Sequence, residues 1–206
     1  MTLTIEEMIA AGMGRSITVG AFSTGIVGGG AGDVLDQDQP EFAIGVPGGY
    51  VMRPIYVNIV VHPGVTLADS SETESLIAVD SLGLWRGDGT VTIETPSNLN
   101  TAFAKGSALR CGSAFTGNMT TITLGGAEAG AAPVLDLELS RFATTANFGD
   151  ATGIIETPFV HVYEPKYPPF LVGPCTLLGY WGGTIATIGG FAIVQWVEGR
   201  LADFGL

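Results

Sequence analysis

An all-β fold, an antiparallel β-sandwich preceded by a short N-terminal helix or arm, is the fold class that this sequence predicts. Short apolar runs recur along the chain, separated by glycine, proline, asparagine and aspartate, which is typical of strands and turns. One run places Ile55, Val57 and Ile59 on the same face of a period-two pattern. Because 206 residues can form one large β domain without splitting, we expect a single domain over residues 16–206.

Helical spacing occurs at the N-terminus, in residues 2–13. Thr4 precedes two glutamates and is suited to cap such a helix. We therefore assign residues 1–15 to an N-terminal helix or arm. The apolar residues that fall on one face of this helix are Ile5, Met8, Ile9 and Met13.

Strands follow in an order set by the apolar runs and the turn residues between them. A glycine-rich run, residues 25–32, and an acidic loop separate the first strand from the others. Residues 134–140 alternate leucine with polar side chains, which predicts a strand with one wet face. The predicted strands are 16–22, 42–46, 53–62, 74–81, 90–94, 107–113, 120–124, 134–140, 154–163, 175–181 and 191–197.

The C-terminal third contains a stretch without charge, residues 167–197, that is long enough to cross a bilayer. Its prolines and glycines are poor helix material, and its glycine pairs divide it into runs of strand length. We therefore predict buried strands rather than a membrane anchor, and we expect no membrane partner.

The composition points to burial of surface between chains. Hydrophobic residues make up 46% of the sequence and charged residues 14%, and the mean hydropathy is +0.40. Charged residues are too few to cover the surface of a monomer. We therefore expect self-association into a trimer, a pentamer or a larger shell. A net charge of −12 without any basic cluster argues against direct contact with nucleic acid.

The N-terminus lacks the basic and apolar regions of a secretory signal, so we expect synthesis in a cytoplasm. Cys111 and Cys175 belong to no CxxC motif. They are expected to be buried free thiols rather than a zinc site or a redox pair.

An acidic loop is the candidate metal site of this sequence. Clustered carboxylates on a loop are the ligands that hard cations such as calcium prefer. The spacing is not that of an EF-hand and Pro40 interrupts it, so a solvated acidic loop is the alternative. The candidate ligands are Asp33, Asp36, Asp38 and Glu41.

No catalytic constellation emerges from the sequence, and we expect neither enzymatic activity nor a cofactor. The glycine-rich run 25–32 lacks the Lys-Ser/Thr ending of a phosphate-binding loop. His62 and His161 belong to no recognisable triad or metal motif, and no nucleophile turn is present.

Candidate interface residues come from both ends of the chain. The N-terminal helix is expected to dock on a neighbouring copy through Ile5, Met8 and Ile9. Aromatic residues gather in the C-terminal third, where core packing, a subunit contact and a carbohydrate-binding groove are the alternatives. The candidates there are Phe170, Trp181, Phe191 and Trp196.

A β-rich chain of this length, rich in glycine and threonine, with an N-terminal arm, long loops and few charges, resembles the single jelly-roll proteins of virus particles. The resemblance covers residues 16–197. It implies a jelly-roll sandwich and a role in the virion as a capsid, penton or decoration subunit, associating with itself or with another capsid protein. The missing basic arm favours an outer-surface or bacteriophage auxiliary subunit over a genome-packaging coat.

Two other functions remain open at this point. One is a lectin-like or receptor-binding β module that recognises sugar through exposed aromatics. The other is an enzyme on a cupin-like barrel, which needs a metal cluster that His62 and His161 do not readily provide.

Overall fold

Two antiparallel β-sheets pack face to face in a computed structural model of the protein. The structure describes residues 3–21, 26–27, 35–62, 71–85, 87, 91–104, 106–115, 117–123, 130–146, 159–183 and 189–206. The elements are α1 Ile5–Ala10, β1 Gly14–Val19, β2 Ile26–Val27, β3 Phe42–Val46, β4 Tyr50–His62, β5 Ser71–Asp80, β6 Gly83–Leu84, β7 Thr92–Glu94, β8 Ser97–Asn98, β9 Arg110–Ser113, β10 Ile122–Thr123, β11 Leu137–Ala146, β12 Phe159–Tyr163, β13 Leu171–Val172, β14 Cys175–Gly183, β15 Gly189–Arg200 and a 3₁₀ helix, Leu201–Phe204.

The larger sheet has the strand order β12-β4-β15-β1-β8, and two short strands, β13 and β2, pair with β4 and β15. The second sheet has the order β11-β5-β14-β3-β9-β7, and β10 pairs with β6 in a small separate ladder. The predicted all-β sandwich with a short helix is therefore confirmed.

The core lies between the two sheets because alternate residues of the long strands point inward. In β4 the inward residues are Val57, Ile59 and Val61, and all three are fully buried. Ile55, predicted on the same face, is only half-buried, because the pairing of β4 with β15 shifts register between Tyr56 and Pro54. Trp181 of β14 and Trp196 of β15 meet them from the two sheets. The core residues thus come from strands far apart in sequence.

The charge-free stretch forms strands, as predicted. Residues 175–181 lie within β14 and residues 191–197 within β15, and each strand runs beyond the predicted bounds. In the described part of the chain, no helix has the length and apolar character needed to cross a bilayer.

Some predicted strand bounds are wrong for identifiable reasons. The strand predicted at 107–113 begins only at Arg110, because Ser107 and the amide of Ala108 bind the carboxylate of Glu198 instead of a neighbouring strand. The strand predicted at 16–22 runs from Gly14 to Val19. Residues 154–158, predicted as part of a strand, lie outside the described residues.

The strand predicted at 134–140 starts at Leu137, and a β-bulge interrupts its pairing with β5 between Glu138 and Ser140. A bulge adds one residue to one strand, so the alternation changes phase there. Ser140 and Phe142 consequently face the inner side, where Phe142 is 45% exposed, and Leu137, opposite Val79 before the bulge, is 41% exposed. The leucine alternation alone did not predict this change.

Helix α1 is shorter than predicted and begins at a capping box. The Thr4 side chain accepts a hydrogen bond from the Glu7 amide (3.2 Å), and the Glu7 carboxylate accepts one from the Thr4 amide (2.7 Å). The helix lies on the outer face of the chain's own larger sheet, where Met8 is fully buried against Val51, Val197 and Phe204. This corrects the expectation that Met8 docks on a neighbouring copy, because its side chain is already covered within the chain.

Both cysteines are buried free thiols, as expected. Cys111 lies on β9 and Cys175 on β14, and β3 runs between these strands. Burial, followed by the nearby Asp80 and Asp136, raises the pKa of Cys175 to about 12. Burial likewise raises the pKa of Cys111, so both remain protonated and unreactive at neutral pH.

Candidate interface at the edge of the larger sheet

Exposed apolar side chains gather along one edge of the larger sheet. Strands β12 and β13 both pair with β4 at this edge, β12 with Val57–Val61 and β13 with Val51 and Met52. The exposed apolar residues on these strands and their connection are here called the edge strip, and the charged Glu164 and Lys166 lie exposed among them. Its members, with their exposed fractions, are Val160 (47%), Val162 (49%), Tyr167 (79%), Phe170 (44%) and Val172 (42%).

The alternation of β12 produces the valines of the strip. Phe159 and His161 point into the sandwich and are buried, so Val160 and Val162, which alternate with them, point to the outer face. A row of apolar residues continues inward on that face, since Val160 lies opposite Val60 of β4, which in turn lies opposite Phe191 of β15. The strip therefore borders a row of apolar residues on the outer face, in which Val60 is buried and Phe191 is half-buried.

The connection between β12 and β13 is fixed by contacts with Arg53. The Arg53 guanidinium donates hydrogen bonds to the Pro168 carbonyl from Nε (3.3 Å) and Nη2 (3.1 Å), and it stacks over the Phe170 ring at 4.3 Å. The Phe170 ring also meets Phe204 edge to face, with centroids 5.9 Å apart. Phe170 is thus held in place while almost half of it stays exposed.

His161, which lies between Val160 and Val162 in β12, forms a polar bridge between the two sheets. The two ring nitrogens of His161 hydrogen-bond to the Ser75 hydroxyl on β5 (Nδ1, 2.7 Å) and the Ser140 hydroxyl on β11 (Nε2, 2.8 Å). His161 stacks on Phe142, with ring centroids 6.0 Å apart. The bridge therefore ties terminal strand β12 of one sheet to β5 and β11 of the other.

Burial lowers the pKa of His161. On the inner face of β12 the next ionisable side chain is Tyr163, whose pKa burial raises. Glu74 on β5 and Arg141 on β11 lie beside the two serines in sequence, so they point to the opposite face, where they form an ion pair. No described carboxylate faces the imidazole, and His161 is neutral at pH 7.

The interface residues predicted from the sequence fall into three groups. Trp181 and Trp196 are fully buried in the chain's own core and offer no surface to a partner, which corrects their assignment as interface residues. Phe191 is half-buried on the outer face of β15. Ile5 and Ile9, both on α1, are partly buried and pack around Met8. Phe170 belongs to the edge strip.

Most of the edge strip was not predicted from the sequence. The strand 154–163 was, and its run Val-His-Val alternates without a charge, which is the signal that could have identified Val160 and Val162. Tyr167 and Val172 carried no comparable signal, because their exposure depends on how the connection folds against β4.

The three candidate metal ligands that the structure describes do not form a site. Asp36 accepts a hydrogen bond from the Asp38 amide (3.0 Å), and Glu41 is buried and accepts one from the Trp181 amide (2.8 Å). Asp38 accepts a 3.5 Å hydrogen bond from Asn118, and Asp33 lies outside the described residues. In the part of the chain that the structure describes, no three His, Cys, Asp or Glu side chains are placed to hold a metal ion.

A cleft of about 530 Å³ lies at the other end of the larger sheet, beside Arg15, Tyr50 and Glu198. Glu198 is buried and accepts hydrogen bonds from the Ser107 hydroxyl (2.5 Å), the Ala108 amide (3.0 Å) and the Trp196 indole (2.7 Å). Arg15 Nε lies 3.3 Å from Glu198 Oε1. The carboxylate is thus fully engaged in joining β1, β15 and the segment before β9.

The chain matches no protein-family model, no curated protein and no solved structure.

Proposed function

We propose that this protein is a structural subunit of a virus particle, a capsid or capsid-decorating protein with a jelly-roll sandwich that assembles with copies of itself. The observation that carries the proposal is the pairing order of the eight described strands of at least five residues. These are, along the chain, β1, β3, β4, β5, β11, β12, β14 and β15.

The eight strands pair first with last, as in one long hairpin. The first pairs with the eighth, the second with the seventh, the third with the sixth and the fourth with the fifth. Two further pairings, eighth with third and seventh with fourth, close the hairpin into two sheets. A rolled antiparallel hairpin of this kind supports a jelly roll, an architecture used by viral capsid domains.

Lectin and cupin domains share that architecture, so the strand order does not by itself decide the function. Two observations favour assembly over these alternatives. A cupin-like enzyme needs a metal cluster, and the described residues provide none. The edge strip offers adjacent apolar side chains on a chain of low charge content, which is typical of a subunit contact.

The proposed assembly is a trimer, a pentamer or a larger shell, made in the host cytoplasm and located in the virion. A net charge of −12 supports a position on the outer surface of the particle, because phosphate neutralisation requires a basic surface. No catalytic step, membrane or cofactor belongs to this proposal.

The first test is the mass of the purified full chain in solution, measured by light scattering after size exclusion without detergent. We expect one discrete mass above the 21.2 kDa of a monomer, and closed rings or shells in negative-stain electron micrographs. A monomer at micromolar concentration, with no closed particles, would contradict the proposal.

A matched pair of variants tests whether the edge strip makes the contact. Val162, Asn58, Ile193 and Thr18 form one row across four strands, so Thr18 lies on the same outer face about 14 Å from Val162. We expect Val162→Asp to shift the mass toward the monomer, because it buries a carboxylate in an apolar contact. Thr18→Asp adds the same charge at an exposed position and should leave the mass unchanged.

A further inference from the structure

Among the described strands, β11 and β12 end the two sheets on the same side of the sandwich, and only one of them has the features that prevent edge-to-edge pairing. Natural sheets protect a terminal strand with charges, prolines or bulges. β11 has a bulge after Glu138, and its Arg141 forms ion pairs with Glu74 and Glu138. β12 has an uninterrupted register with β4, and the sequence Phe-Val-His-Val-Tyr contains neither a charged residue nor a proline.

The sequence of β12 is also complementary to itself. In an antiparallel pair of two copies centred on His161, Val160 of one copy lies opposite Val162 of the other, and the reverse. Both valines then contact a valine on the outer face, and Phe159 lies opposite Tyr163 on the inner face. A two-fold contact of this kind uses the same patch on both subunits.

Neighbouring registers fit less well. A shift by one pairing step would place a valine opposite His161, although their side chains point to opposite faces of the sheet. A centre at Val162 would place Val160 opposite Glu164, and a centre at Val160 would leave Val162 beyond the end of the partner's β12, which begins at Phe159. The register centred on His161 satisfies both faces.

We propose that two copies of this chain join edge to edge through β12, antiparallel and centred on His161, so that their larger sheets form one continuous sheet. This inference rests on the self-association proposed above and narrows it to assemblies with an even number of copies, so that a lone trimer or pentamer would contradict it. A net charge of −12 on each copy opposes association, and the seam adds no like-charge contact to this repulsion because Phe-Val-His-Val-Tyr contains no carboxylate.

The dimer is then the building unit of the assembly. Tyr167, Phe170 and Val172 lie further along the same edge, beside the start of β4, and remain available for contacts between dimers. The mass of the assembly is therefore expected to be an even multiple of 21.2 kDa.

Cysteine cross-linking tests the register directly. Directly opposite residues of an antiparallel pair have Cβ atoms about 4.5–5.5 Å apart, within reach of a disulfide after small adjustment, whereas diagonal neighbours are about 7–8 Å apart. Val160→Cys and Val162→Cys proteins are purified separately, mixed, allowed to exchange subunits and oxidised mildly. The native cysteines are buried and do not interfere.

We expect the mixture to give at least fivefold more disulfide-linked dimer than either variant alone, because position 160 faces position 162 and not itself. Thr18→Cys, exposed on the same sheet but three strands away, should cross-link with neither variant. An assembly with an odd number of subunits, or one in which the mixture cross-links no better than the single variants, overturns this pairing and leaves the proposed function standing. A wild-type monomer overturns both.

Discussion

The outer face of the larger sheet is covered near the start of β4, whereas apolar side chains stay exposed at the edge strand β12. Near the start of β4, Val51 is fully buried beneath α1 and the 3₁₀ helix. Val60, near the end of β4, is also buried (8% exposed), but its neighbour Val160 on β12 is 47% exposed. Valines on the same outer face thus have two environments, because in the described part of the chain α1 and the 3₁₀ helix cover only the end where Val51 lies. Coverage of a sheet face, and not the apolar alternation of its strands, decides whether that face is core or candidate interface.

The largest loss of stability is expected from removing the buried carboxylate of Glu198, which lies at the covered end of the larger sheet. Glu198→Ala takes away the acceptor of three hydrogen bonds and the ion-pair partner of the partly buried Arg15, whose Nη1 still donates to the Gly12 and Gly14 carbonyls. We expect the free energy of unfolding to fall by about 3–5 kcal/mol. Urea denaturation followed by tryptophan fluorescence measures it.

Glu198→Gln serves as the control, since the amide oxygen still accepts a hydrogen bond and the shape is kept. It should lose less stability than Glu198→Ala. Equal losses in the two variants would show that side-chain volume, rather than the acceptor, stabilises this end.

A slightly smaller loss of stability is expected from Met8→Ala. Met8 is fully buried between α1 and the sheet, so the substitution opens a cavity and should lower the free energy of unfolding by about 2–5 kcal/mol. The mass of the assembly should not change, because Met8 contacts its own chain. Glu6→Ala, on the exposed side of the same helix, should stay within about 0.5 kcal/mol of wild type.

If Met8→Ala instead dissociated the assembly with its urea midpoint unchanged, α1 would be an interface element. The comparison between the end covered by α1 and the exposed edge at β12 would then be wrong.

Acidification should lower the free energy of unfolding through His161, which lies between the two exposed valines of β12. Burial lowers the pKa of His161 below its ordinary value of 6.5, so on acidification the unfolded chain takes up this proton before the folded chain does. The contribution of His161 to stability is therefore complete above pH 6.5 and falls as the pH drops below that value. His161→Gln keeps groups that can bond to both serines but does not titrate.

The measurement is the free energy of unfolding at pH 7 and at pH 5 for both proteins. Wild type should lose more stability between the two pH values than His161→Gln does, since the titration of all other groups cancels in the difference. An equal or larger loss in the variant would contradict this role for the buried imidazole.

The smallest stability effect is expected on the edge strip itself. Val160→Thr keeps the β-branched shape and a high strand propensity at a position 47% exposed, so the free energy of unfolding should change by less than about 0.5 kcal/mol. The dissociation constant of the assembly should nevertheless rise severalfold, because the hydroxyl loses water in the contact. A change in stability without a change in association would place Val160 outside the interface.

Local patterns were enough to predict the elements whose chemistry is local. Thr4 and Glu7 are three residues apart and form the capping box of α1, and the strand predicted at 42–46 has the same bounds in the structure. The bulge of β11 was not predictable, because it depends on pairing with β5, a strand more than 50 residues away.

The predicted interface residues likewise divide into what local sequence determines and what strand packing decides. Trp181 and Trp196 are large and apolar, which suits both a core and a contact, and the sequence left both alternatives open. Their full burial follows from the packing of β14 against β15, whereas Val160 and Val162 are exposed because β12 is the terminal strand of its sheet.

By itself, the sequence determined the period of the strands, the capped helix, the scarcity of charge and the self-complementary run Phe-Val-His-Val-Tyr. The tertiary structure decided which strand ends each sheet and which apolar face the chain covers with its own residues. The physical reason is that the hydrophobic effect is not directional and strand pairing is not local. An alternating run therefore defines two faces of a strand, but only the neighbouring strands decide what each face meets.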